Sequence, residues 1–120
     1  MRKLLNFLGL ATLSIGLSGC GESGPGNQTN LEAASRSMRP ADTALAEIYD
    51  RSCRSCHTIA ATGAPLTGDP AAWATLLDKG VNTLVDNVIN GFGGMPPFGM
   101  CMDCGPEEFE ALILFMAAAE

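Results

Sequence analysis

Residues 53–57 read Cys53-Arg54-Ser55-Cys56-His57. No other run in the chain limits its fold so tightly. Two thiols stand one helical turn apart, and an imidazole follows the second at once. The spacing lets each thiol add to one vinyl group of a porphyrin and puts the histidine beneath the metal, the C-x-x-C-H arrangement of covalent haem attachment. A proximal histidine is a common way for a protein to hold haem iron. A chain with this motif is expected to build its core around one covalently attached haem c. Cys53 and Cys56 would be the attachment points and His57 an iron ligand.

The amino terminus agrees with that chemistry. Arg2 and Lys3 precede an apolar stretch from Leu4 to about Gly16. The stretch is too short to span a bilayer and fits a secretory signal over residues 1–19. The signal ends Leu17-Ser18-Gly19-Cys20, which resembles a bacterial lipobox, where cleavage precedes a cysteine that is then lipidated. The other reading is ordinary cleavage near Gly19, with Cys20 left as a free thiol. An exposed unpaired thiol is a liability in an oxidising compartment, which favours the lipid. One acyl chain anchors only marginally, at about 0.8 kcal/mol per buried methylene, so stable anchoring needs the two or three chains of a bacterial lipoprotein. The expected location is the periplasmic side of a bacterial membrane, with Cys20 as the lipid anchor.

Residues 21–40, GESGPGNQTNLEAASRSMRP, are rich in small and polar types. Together with Cys20 they read as a flexible tether, with an end-to-end distance of roughly 25 Å. Met38 reads there as an incidental residue. Residues 41–120 read as one domain, near the lower size limit for an apolar core unless a cofactor adds to it.

Within that domain the signals are helical. Ala41, Ala44, Leu45, Ile48, Tyr49 and Ser52 follow the spacing of an amphipathic helix that leads into the C-x-x-C-H motif. Asp69-Pro70 reads as a cap and first helical position, with Gly80 as the stop. Leu84, Val85, Val88 and Ile89 mark a third helix, ended by Gly91. Pro106-Glu107-Glu108 opens a fourth, with Phe109, Leu112, Ile113 and Met116 on one face. No run alternates as a strand does. The fold class is therefore all-α, with about four helices around one haem. The Gly- and Pro-rich loops 58–68 and 92–105 would wrap its two sides.

Cys101 and Cys104 remain. In an exported chain a leftover C-x-x-C is most simply a disulfide that fixes a local loop, a closure contributing about 2 kcal/mol on chain-entropy grounds. Two other readings stand beside it: a four-cysteine zinc site with Cys53 and Cys56, and a thiol-disulfide catalyst. His57 is the single histidine, so a second iron ligand must come from elsewhere. Met95 sits in Gly93-Gly94-Met95-Pro96-Pro97, where glycines permit close approach and prolines stiffen the loop. It is the first choice. Met100 or Met102, and an open or Lys79-ligated iron, are the alternatives. Met116 reads as core.

Taken together, Ile48-Tyr49, Cys53-x-x-Cys56-His57, Gly63-Ala64-Pro65, Gly68-Asp69, Ala72-Trp73, Asn90-Gly91-Phe92-x-Gly94-Met95-Pro96-Pro97 and Cys101-Met102-Asp103-Cys104 resemble cytochrome c5, a branch of the class I c-type cytochromes. The resemblance runs from about Thr43 to Ala117. It implies a small class I cytochrome c fold and one haem c held by Cys53 and Cys56, with iron ligated by His57 and Met95. It also implies a Cys101–Cys104 disulfide. Pro65 would accept a hydrogen bond from the ligand imidazole, or serve only as a turn residue. Trp73 would pack against the haem and reach a propionate, or serve as plain core. Two positions depart from the family pattern. Leu45 stands where a small glycine usually lets the first and last helices cross, and Phe115 stands where an aromatic hydroxyl is frequent.

The expected activity is single-electron transfer between redox proteins such as a respiratory complex, terminal oxidase or reductase, with no catalysis. A haem enzyme or gas sensor with an open iron position is the rival. Phe92, Pro97, Phe98 and Met100 would form an apolar rim, or be core. Loss of residues 1–19 would remove Arg2 and Lys3 and no acid, leaving five basic against thirteen acidic residues, a net charge of −8. That excludes nucleic acid as a partner and points to basic or apolar docking surfaces.

Overall fold

The computed structural model describes residues 25–118. The expected signal segment and Cys20 lie outside the described residues. The elements in order are α1 (Pro25–Ser37), α2 (Thr43–Ile48), a π-turn (Tyr49–Cys53), α3 (Arg54–His57), α4 (Pro70–Leu77), α5 (Val81–Asn90) and α6 (Pro106–Ala117). Short 3-10 turns occupy Ala60–Thr62 and Pro97–Met100. Among the described residues there is no strand, and no helix is long and apolar enough to cross a membrane.

Local chemistry sets the helix ends. The Asp42 side chain accepts from the Leu45 amide at 2.9 Å and opens α2. The Asp69 carboxylate accepts from the amides of Ala71 and Ala72, with Pro70 next to it, and opens α4. The Glu108 carboxylate reaches back to the Gly105 amide at 2.9 Å and opens α6. Helix α5 runs from Val81 to Asn90 between caps at Gly80 and Gly91, three residues earlier at its start than the apolar spacing alone suggested.

Helices α2, α4 and α5 all pack on α6, and α5 also packs on the Pro97–Met100 turn. The core cluster includes Tyr49, Trp73, Leu84, Phe109, Leu112 and Ile113. Leu45 is accommodated as a partly buried residue against this cluster, and α2 still meets α6. The Phe115 ring meets Tyr49 edge-on at 5.1 Å. The hydroxyl that does hydrogen-bond in this region belongs to Tyr49, which pairs with Thr67 at 2.8 Å.

One expectation is corrected outright. Residues 25–37 are not a flexible tether but a helix, and the segment that follows is docked. Leu31, Glu32, Ser35 and Met38 recur at helical spacing and turn inward: Ser35 and Met38 are buried, Leu31 and Glu32 half-buried. Met38 is thus a packing residue. A Cβ at Gly68 would stand 2.5 Å from its sulfur, so Gly68, at φ +80°, permits the contact. Arg39 pairs with Asp50 at 2.6 Å and lies over the Tyr49 ring at 5.8 Å. The docked face mixes Leu31 and Met38 with Glu32 and Ser35, too few apolar residues for a search for apolar periodicity to find it.

Candidate functional site

The π-turn is the first positioning device. The Arg54 amide bonds to the Tyr49 carbonyl, one residue further back than in an α-helix. Such insertions mark functional stretches of helices. Here it buries Tyr49 and Ser52 in the domain and brings Cys53 to the wall of a cavity.

That cavity has a volume of about 450 Å³, within the range of small-molecule and cofactor sites. Cys53, Cys56 and His57 line it, as do Pro65 and Trp73 from the loop after the motif and α4. Met95 lines it from the loop after α5. The two cysteines carry free thiols. Burial pushes the Cys53 thiol up to about 11, against a smaller opposing effect of Arg51. It therefore stays protonated at neutral pH while no electrophile or metal is bound. The four-cysteine zinc reading fails because Cys101 and Cys104 are joined as a disulfide.

His57 is held at both ends. Its Nδ1 donates to the Pro65 carbonyl at 2.8 Å, which leaves Nε2 without the proton. Burial holds the imidazole below its usual pKa, and the bond to Pro65 opposes this in part. The ring is thus neutral at pH 7, the form that ligates a metal. Its main-chain carbonyl accepts from the Thr67 amide at 2.8 Å and the Ser35 hydroxyl at 3.0 Å. Sequence reasoning missed Ser35 and Thr67, since neither belongs to a recognisable motif.

The Met95 loop is a narrow turn. Phe92 and Met95 exchange both backbone hydrogen bonds, at 3.1 and 2.9 Å. Gly91 lies at φ +80°, ψ 150°, and a Cβ there would meet the Met95 carbonyl and the Pro97 ring at 3.0–3.1 Å. Of the other methionines, Met100 and Met116 also line the cavity. Met116 is fixed in the α6 core, Met100 is half-exposed, and Met102 stands away from the cavity, 74% exposed.

Trp73 departs from expectation in its polar end. It is buried and stacked near the His57 ring at 6.0 Å, but its indole N–H donates to the Leu66 carbonyl at 2.8 Å. It therefore braces the loop that carries Pro65 rather than reaching toward a propionate. Of the apolar rim, Phe92 and Met100 are exposed at the cavity, while Phe98 is half-buried against Phe109.

A helical domain with two free thiols and a neutral imidazole on one wall of an apolar cavity, and a thioether loop on another, has the build of a c-type cytochrome. Residues 40–116 match the family described as "Cytochrome C oxidase, cbb3-type, subunit III". The chain is 36% identical over 69 residues to cytochrome c5 of Azotobacter vinelandii, covering 56% of this chain and 83% of that one. It is 50% identical over 46 residues to cytochrome c-555 of Chlorobaculum tepidum, covering 38% of this chain and 43% of the other. A solved structure described as "Crystal structure of electron transfer complex of nitrite reductase with cytochrome c" matches with a TM-score of 0.56 at 32% identity, covering 65% of this chain and 95% of that one. The chain belongs to the cytochrome c family. It is a haem c protein that carries electrons and is not an enzyme.

Proposed function

We propose that the chain is a monohaem, lipid-anchored electron carrier working between redox proteins outside the cytoplasm. The carrying observation is the convergence of Cys53, Cys56, His57 and Met95 on one cavity. Haem c supplies there an iron that accepts and releases one electron. Cys53 and Cys56 would hold the group through thioether bonds. His57, oriented by Pro65, would ligate the iron through Nε2, and Met95 would ligate it through sulfur. Methionine ligation raises the potential relative to an all-nitrogen site. With His57 and Met95 both holding the metal, no substrate would have a place to bind. Trp73 and the two loops exclude water from the cavity, which leaves the rim at Phe92 and Met100 for contact with partners. The lipobox-like Leu17-Ser18-Gly19-Cys20 supports anchoring through Cys20.

The test is the optical spectrum of the membrane-extracted protein and its Met95→Ala variant. The wild type is expected to show the weak near-infrared band of methionine-ligated ferric haem and to resist carbon monoxide when reduced. Met95→Ala should lose the band and bind the gas. A band that survives the substitution would place the ligand at another methionine. Carbon monoxide binding by the reduced wild type would favour an open-iron enzyme or sensor.

A further inference from the structure

Resting on that reading, we propose that α1 is a working part of the iron site, and that Ser35 is a positioning residue for the proximal ligand. Ser35 is fully buried, and its hydroxyl donates to the main-chain carbonyl of His57 itself. Helix α1 also meets the chain on both flanks of that residue, through a side chain before it and a backbone amide after it. The Arg54 guanidinium donates to the Arg36 carbonyl at 3.0 Å, three residues before His57. The Ala60 amide donates to the Glu32 carboxylate at 2.9 Å, three residues after it. Beyond the helix, Met38 packs on Gly68 in the loop that carries Pro65. Helix α1 and its exit therefore touch both stretches of chain that fix the imidazole.

The geometry gives Ser35 a definite effect. The His57 carbonyl has two donors, Ser35 and Thr67, and cannot turn without losing both. That fixed peptide holds the ring at 2.8 Å from its Pro65 acceptor. A strong Nδ1–H bond makes the imidazole a more basic ligand. A more basic ligand favours the ferric state. Removing the Ser35 hydroxyl frees one side of the carbonyl, weakens the bond to Pro65 and favours the ferrous state.

The experiment is a redox titration of the full haem-loaded chain, with unfolding by guanidinium on the same samples. Ser35→Ala should raise the ferrous-to-ferric ratio at fixed ambient potential about threefold, which is about 28 mV at 59 mV per tenfold for one electron. Glu32→Ala should move it the same way. Glu32→Gln, which removes the same charge but keeps an acceptor for Ala60, should stay at the wild-type value. Ser37→Ala is the control, because that hydroxyl is exposed and bonds only within α1, to the Ala34 carbonyl. If Ser35→Ala fails to mature, the Glu32 pair carries the test. Lower unfolding midpoints with an unmoved potential in Ser35→Ala and Glu32→Ala would overturn the proposal and leave α1 as packing alone. A wild type without haem, or one whose reduced iron binds carbon monoxide freely, would instead sink the underlying reading. That outcome shows in the optical spectrum before any variant is made.

Discussion

At the scale of single residues, Gly91 fixes the Met95 loop more firmly than any contact of Met95 itself. Its backbone lies in a region that only glycine occupies comfortably, and the space for a Cβ is already filled by Met95 and Pro97. Gly91→Ala should cost about 1–3 kcal/mol in guanidinium unfolding and speed displacement of Met95, the proposed iron ligand, by added imidazole. Unchanged unfolding and exchange would show that the loop relaxes freely. The residues that line the cavity were legible because haem attachment dictates their type and spacing: two thiols, then an imidazole. Met95 stood out by its glycines and prolines, although Met100 and Met116 reach the same cavity. The partner of the Trp73 indole was not legible, because which carbonyl a buried N–H meets depends on how two loops pack, and spacing along the chain does not encode that.

At the scale of elements, the four helical runs expected of the domain, the first of them divided by the π-turn into α2 and α3, were legible from capping residues and apolar faces. Helix α1 was not, because its stabilising contacts run from polar side chains to distant backbone. The π-turn was equally hidden: an extra residue in a helix leaves the apolar spacing almost unchanged. One of its residues joins two elements. Arg51 in the π-turn holds Asp103 in the disulfide loop through two bonds at 3.0 and 2.9 Å. The hydrogen bond from Arg51 holds the Asp103 carboxyl below its usual pKa. A carboxyl with a depressed pKa in the folded state contributes stability above its ordinary value, about 3.9, and loses it as pH falls through the lowered one. Asp103→Asn should therefore lower the thermal midpoint at pH 7. The difference from wild type should shrink as pH falls through the lowered pKa and vanish once the carboxyl is protonated in both states. A difference that persists there would assign the effect to packing of the loop. Both groups are exposed, so the effect is small.

At the scale of the whole molecule, charge governs encounter. The chain from Cys20 onward carries five basic and thirteen acidic residues, and Lys79, its one lysine, lies at the cavity. Electron transfer to a basic redox partner should slow as salt rises, since screening shortens the reach of charge from about 30 Å at 0.01 M to about 10 Å at 0.1 M. Stopped-flow rates that hold steady or rise over that range would leave apolar contact at Phe92 and Met100 as the main docking force. The docking of α1 bears on where such encounters happen. With Cys20 fixed in lipid as proposed, four residues, 21–24, separate the anchor from the helix. Fully stretched, they reach about 18 Å. On that proposal a leash so short would keep the carrier skimming the bilayer, within easy reach of proteins standing in the same membrane.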